Sequence, residues 1–156
     1  MKSIDYFNHL EDLDSESKYL AHKAKEAAAH AYAPYSKFCV GASLILDDGT
    51  IVSGANQENV AYPLCMCAER VALYAAASQH PDKKILKLAV VAHKKNHKDL
   101  TPATCCGSCR QVLLEFETRQ NKPIELIMLS PDMKWIKAPS AGSLLPLSFS
   151  KESLEN

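Results

Sequence analysis

Three of the chain's six cysteines stand within five positions, Cys105, Cys106 and Cys109 in the stretch PATCCGSCRQ. Cys106 and Cys109 form a Cys-x-x-Cys where a helix is expected to begin, and that spacing puts both sulfurs on one face. Free N–H groups and the positive end of the helix dipole favour thiolate there. Such a pair is either a dithiol redox couple or half of a metal site. A second half lies upstream, where Cys67-Ala68-Glu69 opens another expected helix. Two helix N-termini on the same side of an α/β sheet can meet at one point. Thiolates from Cys67, Cys106 and Cys109 would give tetrahedral zinc three protein ligands and one open position, the form of a catalytic site. A closed structural site would need Cys65 as its fourth ligand. Cys105 is a poor fourth, because adjacent residues rarely hold one tetrahedral ion without backbone strain. Glu69 favours the open form. A carboxylate two residues past a ligand lies near the metal without being needed to hold it, and it can carry protons for a zinc-bound water.

The elements that must position these groups follow from pattern. Asp14 or Ser15 can cap a helix with Glu16 in its first turn, and an alanine-rich run carries it to about Tyr32, before Pro34. KFCVGASLIL and TIVSGAN read as two strands joined by a hairpin at Asp48-Gly49. CAERVALYAAASQ, from residue 67, is helical by its apolar spacing. ILKLAVVAH reads as a strand buried on both faces. Residues 94–105 read as loop, and CGSCRQVLLEFETRQ as a second amphipathic helix. IELIMLS, a Pro131-Asp132 turn and KWIKA add two short strands, and SAGSLLPLSF ends in a helical turn stopped by Pro146. The order α-β-β-α-β-α-β-β predicts an α/β fold, a three-layer α-β-α arrangement around a mixed five-stranded sheet.

The composition excludes several other roles. At 156 residues the chain suits one domain with a core that needs no disulfide staples. Residues 1–13 read as a loosely attached leader and 14–156 as a single catalytic domain. No signal peptide opens the chain and no apolar run approaches a membrane span, so the expected location is cytoplasmic, where thiols stay reduced. Eighteen basic residues balance eighteen acidic ones, which argues against a nucleic-acid partner. The basic run HKKNHKD reads as a solvated loop.

CAERVAL followed by CGSCRQVLLEF resembles the small cytidine deaminases whose zinc is held by three cysteines. YSKFCVGASL, GANQENVAYP and LLPLSF match further segments of that family in the right order, so the resemblance spans most of the chain. It implies a cytidine deaminase-like fold and one zinc per chain. It also implies hydrolytic deamination of cytidine and 2'-deoxycytidine, with Glu69 carrying both proton transfers. Asn56 and Glu58 would bind sugar hydroxyls, Phe38 would pack near base and sugar, and Tyr62 and Ala68 would complete the pocket. Arg70 and Gln111 would donate hydrogen bonds to ligand sulfurs, offsetting the negative charge of three thiolates. The family also assembles as homotetramers, in which Phe149 would enter a neighbour's pocket. Read without the resemblance, Asn56 and Glu58 belong to a polar turn and Phe149 is a terminal packing anchor. One departure is clear: the family carries proline before the Cys-x-x-Cys, and here Cys105 stands there. The expectation is altered rigidity, with no chemical role for Cys105. The alternatives are a deaminase of another aminopyrimidine nucleoside, a redox dithiol, and a structural-zinc scaffold.

Overall fold

A computed structural model describes residues 3–155. Of the leader expected over 1–13, residues 3–13 are described. Its residues 5–7 form β1 (Asp5–Phe7), which pairs antiparallel with the last strand, and Leu13 is buried. A three-residue strand carries no readable periodicity, so only its pairing reveals it.

Asp14 caps α1 (Ser15–Ala28), accepting from the Ser17 backbone N–H at 2.9 Å and the Ser17 hydroxyl at 2.7 Å. The helix stops short of Tyr32 because tertiary bonds outweigh alanine's helix preference. The Tyr32 N–H donates to the Asn56 carbonyl at 3.0 Å, and the Tyr32 carbonyl accepts from the Glu58 N–H at 2.9 Å. β2 (Phe38–Leu46) and β3 (Ile51–Ala55) then form the expected hairpin, with Gly49 at a φ of 85° in its turn. Next come α2 (Ala68–Gln79), β4 (Ile85–Lys94), β5 (Leu100–Thr101), α3 (Gly107–Gln120), β6 (Glu125–Leu129) and β7 (Trp135–Ala138).

The sheet has the order β1-β7-β6-β4-β2-β3, with β5 paired to β4. β4 and β6 run parallel, joined through α3, and the remaining pairs are antiparallel. The expected five strands are therefore present, and the count among the described residues is corrected to seven by β1 and β5. Side chains of β4 alternate between two cores, as a doubly buried strand requires. Leu88 and Val90 pack under α2 and α3 with Leu73, Leu113 and Phe116. Ala89 and Val91 pack under α1 with Leu20 and Ala24. The three-layer arrangement is thus the one expected.

Two features fix the helices to this sheet. A Cβ on Gly54 of β3 would lie 2.6 Å from the Ala72 nitrogen and 2.8 Å from the Ala68 carbonyl, so only glycine lets the first turns of α2 sit this close. On the other face, the buried Lys87 Nζ reaches Asp14 at 3.2 Å, Glu16 at 3.2 Å and Glu125 at 2.9 Å. Lys137 also pairs with Asp14, at 2.8 Å. Burial pushes the Asp14 carboxyl up, but hydrogen bonds from Lys137, Ser17 and Lys87 outweigh it and hold the group well below the usual carboxylate range. Among the described residues no helix is long and apolar enough to cross a membrane.

Candidate metal centre and substrate pocket

Cys67 is the N-cap residue of α2, Cys106 is the N-cap residue of α3, and Cys109 lies in the first turn of α3. Their three sulfurs lie within 4.8 Å of one another, with Cys67 and Cys106 separated by 3.9 Å. Zinc about 2.3 Å from each sulfur would hold tetrahedral ligands roughly 3.8 Å apart, so the group fits the ion. Cys65 does not join it. Its sulfur accepts from the Asn59 N–H at 3.3 Å in a local loop contact. The closed four-cysteine alternative therefore loses its fourth ligand.

The charges around the sulfurs favour metal binding. A hydrogen bond from Cys109, with a smaller contribution from Arg70, brings the Cys67 thiol down to about 5. The Cys109 thiol is pushed up by its bond with Cys67 and by burial. A metal ion bound by the three sulfurs would hold all three as thiolates. Arg70 donates from Nη2 to the Cys67 sulfur at 3.4 Å, as expected of it. Its Nε is buried without a hydrogen-bond partner. Gln111 departs from expectation. Its Nε2 donates to the Phe149 carbonyl at 2.9 Å, so it tethers the C-terminal tail instead of a ligand sulfur.

Glu69 is only 4% exposed although it lines the pocket. Burial pushes its carboxyl up, and the neighbouring Cys67 thiolate adds to this, while hydrogen bonds from its own backbone N–H and the Cys105 thiol pull the other way. Cys105 is 1% exposed, its N–H donates to the Met128 sulfur at 3.3 Å, and its carbonyl accepts from Arg110 Nε at 2.9 Å. Its own thiol is pushed up by burial and by the Glu69 carboxylate beside it. The residue that replaces the family proline is thus held through its backbone just before α3.

A cavity of about 820 Å³ opens in front of the sulfurs. Its walls include Phe38, Asn56, Glu58, Tyr62 and Ala68, together with Cys67, Glu69, Arg70 and Cys106. The 56–58 segment is stitched on both sides, with Gln57 bridging to Tyr32 and to Met66. The Asn56 side chain accepts from the Val40 N–H at 2.8 Å and donates to the Phe38 carbonyl at 2.9 Å. This leaves one amide hydrogen and part of the oxygen's accepting capacity for a ligand. The Glu58 carboxylate accepts from the N–H groups of Ser36 at 3.1 Å and Tyr35 at 3.3 Å, and from the Ser36 hydroxyl. The Ser36 hydroxyl is the main reason its carboxyl is held below the usual range. Tyr35 and Ser36 also line the cavity, where Tyr35 meets Tyr62 edge-on at 5.9 Å. Sequence reasoning passed over both, although they stand inside the matched YSKFCVGASL. Phe149 lies outside the cavity walls of its own chain and is 63% exposed.

Comparison with known proteins agrees with this geometry. Residues 14–122 match the cytidine and deoxycytidylate deaminase zinc-binding region. The chain is 43% identical over 132 residues to a cytidine deaminase of Sporosarcina psychrophila, covering 85% of this chain and 90% of that one. It is 38% identical over 141 residues to a cytidine deaminase of Halalkalibacterium halodurans, covering 90% and 99%. A crystal structure of cytidine deaminase from Burkholderia pseudomallei superimposes with a TM-score of 0.71 at 37% identity, covering 88% of this chain and all of that one.

Proposed function

Because the chain belongs to the cytidine and deoxycytidylate deaminase family, we propose that it hydrolyses cytidine and 2'-deoxycytidine to uridine and 2'-deoxyuridine with release of ammonia, a step of pyrimidine salvage. The observation that carries this reading is the meeting of three sulfurs within 4.8 Å, with a buried carboxylate two residues along, at the end of a nucleoside-sized cavity.

Cys67, Cys106 and Cys109 would hold one zinc ion. When bound, the metal supplies a Lewis acid that makes water acidic enough to act as a nucleophile near neutral pH. Glu69 accepts a proton from the attacking water and returns it to ring nitrogen 3, then assists the departure of the amine. Its burial suits this work, since a carboxyl with raised proton affinity takes a proton from water more readily than an exposed one. Arg70 places a fixed positive charge against the Cys67 sulfur and moderates the negative charge of three thiolates.

Asn56 and Glu58 are the residues assigned to the sugar hydroxyls, and Phe38, Tyr62 and Ala68 to the walls around base and sugar. Phe38 and Tyr62 offer apolar faces for stacking, while the Glu58 carboxylate is preorganised by Ser36. Residues 14–156 would act as the catalytic domain. The cytoplasm, a reducing compartment, would keep the six free cysteines available. A homotetramer is supported by the exposed apolar residues Val60, Tyr62, Leu64, Leu147 and Phe149 near the pocket and tail.

The test is loss of cytidine ultraviolet absorbance with purified protein, measured beside zinc content per chain. Glu69→Gln should keep zinc and fold while losing on the order of 10²–10⁴-fold in rate. Near-normal turnover in that variant would remove Glu69 from the chemistry.

A further inference from the structure

The residues assigned to the sugar are joined to one another through the turn before β2, and the join runs through a single hydroxyl. The chain reaches Phe38 by way of Lys37, whose φ of 59° is left-handed and uncommon for a lysine. Bonds on both sides hold this turn. The Lys37 carbonyl accepts from the Lys95 N–H at 2.7 Å, and the Ser36 hydroxyl spans Lys37 to accept from the Phe38 N–H at 3.0 Å. The same hydroxyl donates to Glu58 Oε1 at 2.5 Å, the short length of a charge-assisted bond. The Ser36 N–H reaches that oxygen too, at 3.1 Å, so one residue supplies Oε1 with two donors. Oε2 has only the longer contacts, from the N–H groups of Ser36 at 3.2 Å and Tyr35 at 3.3 Å, and keeps more of its accepting capacity. On the other side of Phe38, its carbonyl accepts from the Asn56 amide at 2.9 Å. Glu58, Ser36, Phe38 and Asn56 are thus linked in one hydrogen-bonded chain, and all four line the cavity.

We propose that Ser36 is a positioning residue for nucleoside recognition: its hydroxyl, donating to Glu58 and accepting from Phe38, fixes which carboxylate oxygen is left for the sugar and holds the aromatic wall beside it. The inference rests on the reading of Glu58 as an acceptor for a sugar hydroxyl. Without the Ser36 hydroxyl, the carboxylate is free to turn and must be ordered again when substrate binds. The loss therefore falls on affinity for substrates that carry the hydroxyl, and not on the chemical step or the metal.

Ser36→Ala and Ser36→Thr, each with zinc quantified, test it on cytidine and on 2',3'-dideoxycytidine, which lacks both hydroxyls. Alanine should raise KM for cytidine roughly tenfold, the scale of one hydrogen bond to a charged group, with kcat within about twofold. Zinc should remain at one per chain. Threonine keeps the hydroxyl, so it should recover most of the lost affinity. On the dideoxy substrate, kcat/KM of the alanine variant should stay within about twofold of wild type, because Glu58 has no hydroxyl to accept from. In a Glu58→Ala background, Ser36→Ala should likewise add less than about twofold. A merely structural turn would impair every one of these pairs alike. Should the alanine variant fail to fold, Ser36→Gly removes the same hydroxyl and takes its place. The proposal is overturned if alanine leaves KM for cytidine unchanged, if threonine is as impaired as alanine, or if zinc is lost. It is equally overturned if the dideoxy substrate or the Glu58→Ala background shows the full loss. Glu58→Ala is also run alone. A raised KM there beside an unimpaired Ser36→Ala removes the positioning role alone, whereas an unchanged KM in Glu58→Ala removes the premise as well.

Discussion

At the scale of single residues, the centre depends on three sulfurs close enough to hold one ion. Cys67 is brought down to about 5 by the hydrogen bond from Cys109, and Cys109 rises in exchange. Removing either sulfur leaves a two-ligand remnant, and removing that of Cys67 also takes the acceptor from Arg70. Cys109→Ala should therefore lose zinc outright. It should also melt at a lower temperature, because Cys109 is wholly buried and metal binding energy is part of folding energy. Metal analysis of the purified variant checks this, and full zinc occupancy would exclude Cys109 as a ligand. Gln111 shows how far residue type underdetermines role. Its amide is chemically able to donate to a sulfur, yet it bonds the Phe149 carbonyl.

At the scale of elements, the pocket loop and the first helix each make an argument that can be measured. Asn56 and Glu58 stand two residues apart, but their surroundings differ. Asn56 is bonded through both ends of its amide to the β2 backbone, so Asn56→Ala should cost about 1–2 kcal/mol of stability in addition to raising KM. Glu58 holds the exposed 35–36 turn, and Glu58→Ala should raise KM with little loss of stability. Zinc should survive in both. Denaturant melts beside steady-state kinetics separate the two effects, and an unchanged KM in both variants would release the loop from substrate binding.

The α1 cap gives a pH dependence. Asp14 is lowered in the folded state, so its contribution is present above its unfolded value of 3.8 and is lost as pH falls towards the lower folded value. Asp14→Asn keeps a capping side chain but gives up the ion pairs to Lys87 and Lys137. With the carboxylate partly exposed, the substitution should cost about 1 kcal/mol at neutral pH. That difference should shrink below pH 3.8. A gap in urea midpoints that stays constant into acid would count against the ion pairs.

At the scale of the whole molecule, the proposed tetramer turns on the tail. Arg110 donates to the Leu144 carbonyl at 3.2 Å and Gln111 to that of Phe149, so α3 holds the backbone of the tail in place. The side chains of Leu147 and Phe149 nevertheless stay exposed, and apolar groups fixed in water point to a surface that completes them. Truncation before Phe149 should reduce turnover while zinc and the wild-type molecular mass are retained. Light scattering gives the mass of both proteins, and a fully active monomer would sink the assembly reading.

The sequence by itself determined what depends on short separations. Cys-x-x-Cys spacing, a carboxylate two residues beyond a cysteine, the Asp14 cap, the Asp48-Gly49 turn and the unbroken apolar run of β4 each act over a few residues, where backbone geometry dictates the outcome. Only the tertiary structure decided what depends on contacts between distant segments. β1 exists because it finds β7, and α1 stops early because Tyr32 bonds to the 56–58 loop. Glu58 is oriented by Ser36, 22 residues away, and Gln111 turns to a carbonyl 38 residues along the chain. No local pattern encodes such meetings, since each follows from how the packed sheet sets its helices against one another.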